Sequence, residues 1–125
     1  MRTVAILGAS SQRSKFGNKS LRAHRQAGWK VLPVNLAGEA VEGEPSWRRL
    51  ADLPERPERI SVYLPPPLTR ELLPEIAAAG AREVWFNPGS ADPALLAEAR
   101  ALGIPAIDGC SIVDLGLSPS QFPDH

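Results

Sequence analysis

Chemistry in this chain can begin at Gly8-Ala9-Ser10-Ser11, a turn of small residues entered directly from the hydrophobic run Thr3-Val4-Ala5-Ile6-Leu7. A glycine at a strand end lets the backbone turn tightly and approach a ligand closely. Small residues after it leave the first N–H groups of a following helix uncovered. Those donors, with the positive end of the helix dipole, make a seat for phosphate. Arg13 and Lys15 follow and add positive charge. The same turn also serves as a plain strand-to-helix connection. A second turn, Asn87-Pro88-Gly89-Ser90, closes another hydrophobic strand, and Asn87 either stabilises its own turn or reaches a ligand. Cys110 is the one cysteine, which excludes an internal disulfide and a multi-cysteine metal site. It reads either as a small buried side chain or as a thiol beside a ligand. His24 reads as a packing or surface residue, His125 as terminal, and Trp29, Trp47 and Trp85 as packing rather than a base-stacking groove. No Ser-His-Asp set, metal-ligand cluster or carboxylate pair falls at these turns. The expectation is a binding protein that is not itself an enzyme.

The elements that must hold these turns alternate strand and helix. After Gly8, residues 15–27 read as a helix closed by Gly28, with Phe16, Ser20, Ala23, His24 and Ala27 on its apolar side. Lys15, Lys19, Arg22 and Gln26 form a basic side that reads as a solvated face. Residues 29–35 are a second strand, where Pro33 marks an edge or a strand about to finish. Ser46 caps a short helix over residues 47–51, and residues 60–64 are a third strand stopped by Pro65-Pro66-Pro67. Thr69 caps a helix reaching residue 79, kinked or delayed by Pro74; residues 83–86 are a fourth strand. Asp92 and Pro93 open a helix over residues 94–102, and residues 105–107 are a fifth strand. Residues 118–125 read as a loosely held tail.

This alternation predicts one α/β domain over residues 1–125, a doubly wound, Rossmann-type parallel sheet of about five strands in the order 3-2-1-4-5. In that order strands one and four meet at the switch point, where ligands bind outside the carboxyl ends of strands. Hydrophobic residues at 43% and charged ones at 22% suit a globular chain, and fourteen basic residues balance fourteen acidic ones. Charge therefore offers nothing for nucleic acid or an anionic membrane. No apolar run approaches the roughly 20 residues of a membrane span. Met1-Arg2 leads straight into the first strand, leaving no room for a signal peptide, so the expected compartment is the cytoplasm.

Dinucleotide sites carry G-x-G-x-x-G and an acidic residue closing the second strand. Here the turn has one glycine and the strand closes on Val34-Asn35, which disfavours NAD. NADP stays open through Arg13 or Lys15. The motifs Val4-Ala5-Ile6-Leu7-Gly8-Ala9-Ser10, Val31-Leu32-Pro33-Val34-Asn35, Tyr63-Leu64-Pro65-Pro66-Pro67, Trp85-Phe86-Asn87-Pro88-Gly89 and Asp108-Gly109-Cys110 together resemble the CoA-binding domain family. Its small bacterial members are similar to the N-terminal domain of the succinyl-CoA synthetase alpha subunit. The resemblance implies coenzyme A or an acyl-CoA as ligand, with the diphosphate at Gly8, Ala9, Ser10 and Ser11 near Arg13 and Lys15. It implies adenosine near Val34 and Asn35, and pantetheine running past Pro65, Phe86, Asn87, Pro88 and Gly89 toward Cys110. The chain departs from the family at Leu36, which replaces a proline, and at Gly109. It also has no basic residue across residues 37–44. The implied function is a stand-alone CoA carrier, sensor or accessory subunit, with a protein partner or homo-oligomer left open. The alternatives are an NADP-dependent reductase and the nucleotide-binding subunit of a split acyl-CoA ligase.

Overall fold

A computed structural model describes residues 2–125. Five parallel strands, β1 (Thr3–Leu7), β2 (Lys30–Val34), β3 (Arg59–Val62), β4 (Glu83–Phe86) and β5 (Ala106–Asp108), form one sheet in the order β2-β1-β3-β4-β5. The helices are α1 (Phe16–Gln26), α2 (Pro66–Ala79), α3 (Pro93–Ala101) and the short α4 (Ser111–Asp114), with single 3-10 turns at Leu50–Asp52 and Pro119–Gln121.

Strand β1 is buried throughout and alternates between two cores. Val4 and Ile6 pack with Leu21, Trp29 and Val31 on the α1 side. Ala5 and Leu7 pack with Leu73, Ile76, Leu95 and Ala99 beneath α2 and α3. Both faces are covered, which is why the strand sequence shows no polar alternation.

The strand order differs from the expected 3-2-1-4-5: β3, not β4, lies beside β1, and β2 is an edge. Pro33 gives the reason. Its carbonyl points outward and accepts from the Trp47 N–H at 3.0 Å, so the side of the strand lacking a proline N–H faces away from β1. A β2 held between two strands would leave one ladder position without a donor. Trp47 forms an isolated parallel bridge with Val34 and covers that edge. It is therefore strand-like, and the expected helix from Trp47 shrinks to Leu50–Asp52.

Four other expectations shift. Pro65 is the N-cap of α2 and the following prolines occupy its first turn, while Thr69 lies inside the helix and bonds back to the carbonyls of Leu64 and Pro65. Asp92 does cap α3, accepting from Leu95 N–H at 2.8 Å. The tail is not loosely held. Ser118 and Gln121 form a reciprocal capping box, Phe122 is buried against Ala23 and Ile112, and Arg22 donates to the Pro123 carbonyl at 2.9 Å. Lys19 pairs with Asp124. The basic side of α1, expected to be solvated, is what holds the tail. Within α1 itself, Leu21, Ala23 and His24 are buried, whereas Phe16 is 59% exposed and Ala27 is exposed.

Candidate functional site

The carboxyl ends of the strands fall in one row, because Val34, Leu7, Val62, Phe86 and Asp108 are register partners in turn. Three cavities lie along this row. The first, of about 390 Å³, opens beside β2 and is lined by Gly8, Ala9, Val34 and Asn35, with Leu50, Leu64, Leu68 and Leu72 as its apolar wall. Arg48, Arg49 and Glu75 also line it. The second, of about 410 Å³, lies in the middle, between Gly8, Ser10, Lys15 and Gly17 on one side and Pro65, Pro88, Gly89 and Ser90 on the other. The third, of about 250 Å³, lies toward β5 and is lined by Asn87, Cys110, Ile112 and Pro119. Gly8 and Leu64 are common to the first two cavities, and Phe16, Tyr63 and Pro88 to the last two. The three form one groove across the strand ends.

The turn at its centre is built by two glycines. Gly8 has φ +94°, and a Cβ there would stand 2.7 Å from the Tyr63 carbonyl oxygen. A Cβ on Gly17 would stand 2.3 Å from the Gly8 carbonyl oxygen, so α1 lies directly on the turn. In sequence the turn shows one glycine, because the second lies nine residues further on, inside α1. The N–H groups of Gly8 and Ala9 do not face a ligand: both donate to the Val34 carbonyl, at 3.0 and 3.2 Å. The positive groups that face the middle cavity are instead Lys15 and the first turn of α1. No side chain caps that helix, and its residues Phe16 and Gly17 line the middle cavity.

The other candidates separate by geometry. Lys15, Val34, Asn35, Pro65, Pro88, Gly89 and Cys110 all line the groove. Ser11 does not; it is exposed and donates to Glu39 at 3.0 Å. Arg13 turns away to Glu42, 3.2 Å, and to the His125 carbonyl, 2.9 Å. Phe86 is fully buried in the core under α2 and α3, because β4 alternates and points it away from the groove. Asn35 lines the first cavity while its amide pins its own loop, exchanging hydrogen bonds with both backbone groups of Glu39 at 3.1 Å. Asn87 is buried, and its polar atoms tie β3 and β4 to α4. Nδ2 donates to Ser61 Oγ and the Val62 carbonyl at 2.9 Å, and Oδ1 accepts from Ser111 N–H at 2.9 Å.

Arg48 is the cation missed in the sequence. It lies beyond the loop over residues 37–44, is exposed, and donates to the Leu36 carbonyl at 2.8 Å. It takes part in no ion pair among the described residues. Its neighbour Arg49 pairs with Glu75 at 3.4 Å. Two arginines directly after Trp47 were the available signal. Tyr63 was missed because it continues β3 and reads as strand; burial raises its phenol pKa, and its hydroxyl bonds Ser111 Oγ at 3.1 Å. Among the described residues, no group of three or more His, Cys, Asp or Glu gathers as a metal site. No helix of the described residues is long and apolar enough to cross a membrane.

A parallel sheet covered by helices on both faces, with a groove across its carboxyl ends at the β1/β3 switch, is the architecture of the Rossmann-type nucleotide-binding domains. Within that class the chain belongs to the CoA binding domain family, whose pattern it matches over residues 2–116. An 86-residue segment is 28% identical to the alpha subunit of the ADP-forming acetate–CoA ligase II of Pyrococcus furiosus, covering 66% of this chain and 18% of that subunit. The chain is thus related to a small part of a ligase subunit. A Thermus thermophilus protein of known structure, 33% identical, superposes with TM-score 0.83 over 90% of this chain and 87% of its own. A conserved hypothetical protein from Pyrococcus furiosus, 28% identical, does so with TM-score 0.82 over 91% and 99%. The dinucleotide-forming acetyl-coenzyme A synthetase 1 of Ca. Korarchaeum cryptofilum shares the fold, at 21% identity and TM-score 0.73, over 84% of this chain and 25% of that one.

Proposed function

We propose that this chain binds coenzyme A or an acyl-CoA along the whole groove and works as a carrier, sensor or accessory subunit, with no reaction of its own. The observation that carries this reading is the continuity of the three cavities through Gly8, Leu64, Tyr63 and Pro88. CoA is a long ligand with an adenosine at one end, phosphates in its inner half and a thiol at the other end. The leucine-walled cavity beside Asn35 suits the adenine. Arg48 at its rim supplies charge for the phosphate on the adenosine ribose, a group that NAD lacks. Lys15 and the uncapped start of α1 suit the diphosphate. Pantetheine then runs past Pro88 to Cys110.

Asn35 supports CoA over NAD, because a dinucleotide site uses a carboxylate at the end of β2 to hold the ribose hydroxyls. The kinship with a ligase alpha subunit supports a second arrangement, in which the domain serves as the CoA-binding piece of a split acyl-CoA ligase. Mass spectrometry of small molecules released from the purified protein tests the ligand. CoA or a thioester is expected, and a nicotinamide dinucleotide would overturn the reading. Copurification of a second ligase subunit selects the second arrangement.

A further inference from the structure

We infer that the third cavity is an acyl pocket, so that this protein takes CoA thioesters of short, uncharged, apolar acids in preference to free CoA or to dicarboxylic acyl-CoAs. The inference rests on the CoA reading above and deepens it. The cavity continues the groove at the end farthest from Arg48, and Cys110, where pantetheine would finish, is one of its walls. It is more enclosed than the middle cavity.

Its walls are Phe16, Tyr63, Pro88, Ile112 and Pro119, with Cys110 and Asn87, and no charged side chain lines it. The two polar groups there are already committed inside the protein. The Asn87 amide is held by Ser61, Val62 and Ser111, and the Tyr63 hydroxyl lies 3.1 Å from Ser111 Oγ. What the cavity presents to a guest is therefore carbon and sulfur. A water molecule needs two to four polar partners and finds few here, whereas an apolar group displaces poorly held water and gains contact area. A carboxylate would lose its hydration and meet no cation.

Two features make this a built end rather than a gap between loops. Pro119 comes from the tail that α1 holds down through Arg22 and Lys19, so the wall is fixed in place. Phe16, 59% exposed, is common to the middle and third cavities and stands at the passage between them. An apolar ring left exposed there gains a partner when a chain passes beneath it.

Calorimetry with CoA, acetyl-CoA, butyryl-CoA and succinyl-CoA tests the inference on the intact protein. Each buried methylene adds about fourfold in affinity, so butyryl-CoA, with two more, should bind about fifteenfold tighter than acetyl-CoA. Succinyl-CoA, with the same number of acyl carbons, should bind at least tenfold more weakly than butyryl-CoA. Because Cys110 is the only cysteine, its alkylation rate by iodoacetamide reports where the acyl group lies; butyryl-CoA should slow it more than acetyl-CoA at equal saturation. If CoA binds but the four ligands do not differ, or the acyl group does not shield Cys110, the acyl pocket is wrong and the CoA reading stands. If none of the four binds, both fall together.

Discussion

Lys15 shows how a single residue divides a binding claim from a surface charge. It lines the middle of the groove, forms no ion pair among the described residues, and stands at the N-cap of α1 without capping it. Lys15→Ala should weaken CoA binding roughly fivefold, the range of an exposed charge contact, and the loss should shrink in high salt. Titrations at two ionic strengths check this; a loss independent of salt would assign Lys15 to packing. Gly8 and Gly17 are a different kind of residue. A side chain on either meets a backbone carbonyl that has no room to give. Gly17→Ala should therefore cost about 1–3 kcal/mol of stability in urea unfolding, whatever it does to a ligand. Gly8→Val would likewise destabilise the turn itself, so it does not isolate ligand binding. His24 is a packing residue, fully buried and edge-on to Trp29. Its Nδ1 lies 2.8 Å from the Ser20 carbonyl and its Nε2 lies 3.2 Å from an Arg59 nitrogen. The neutral ring, donating at Nδ1 and accepting at Nε2, satisfies both. Burial lowers its pKa to about 4, the Ser20 hydrogen bond and Asp114 opposing, Arg59 and Arg2 reinforcing. With the folded pKa below the unfolded one, the unfolded chain takes up the proton first. The stabilisation is full above about pH 6.5 and is lost as pH falls toward 4, by about 3 kcal/mol. Urea midpoints of wild type and His24→Gln should converge over that window; a constant difference would contradict it.

At the scale of elements, the sequence discloses the strands and helices better than their arrangement. The run over Thr3–Leu7, the glycines closing each helix and the Asp92-Pro93 cap all act within a few residues of where they are written. Strand order is a long-range property, set by which way the crossover after β2 travels. The local clue, Pro33, was present and pointed to an edge. The tail was misread for a related reason. Pro, Ser and Gly over 116–120 look loose in isolation, but their partners, Arg22 and Ala23 on α1, lie a whole domain earlier in sequence. Phe122→Ala should therefore cost about 3 kcal/mol, measured by chemical unfolding, because it empties a buried site between α1 and α4. A tail held as loosely as its composition suggests would leave stability unchanged. The candidate site was legible where it lies in turns directly after strands, as at Gly8, Asn35, Pro88 and Cys110. It was illegible where a neighbouring element lends a side chain. Arg48 comes from the segment covering the β2 edge, and Tyr63 from the end of a strand. Phe86 was misplaced by one residue of pleat: β4 sends it to the core, while the backbone after it enters the turn.

For the whole molecule, the sheet matters as a ruler. Its register sets five carboxyl ends in one row, and the helices on either face leave that row open as a groove with cations at its β2 end and middle and carbon at its β5 end. The central claim is that this groove is matched to coenzyme A and not to a nicotinamide dinucleotide. Calorimetric titration of one protein preparation with CoA, NAD and NADP under identical salt is the most direct measurement of it. Because Asn35 offers no carboxylate to a free ribose and the third cavity suits an apolar arm rather than a second nucleoside, CoA should bind at least tenfold tighter than either dinucleotide. Equal or tighter binding of NAD or NADP would contradict the account.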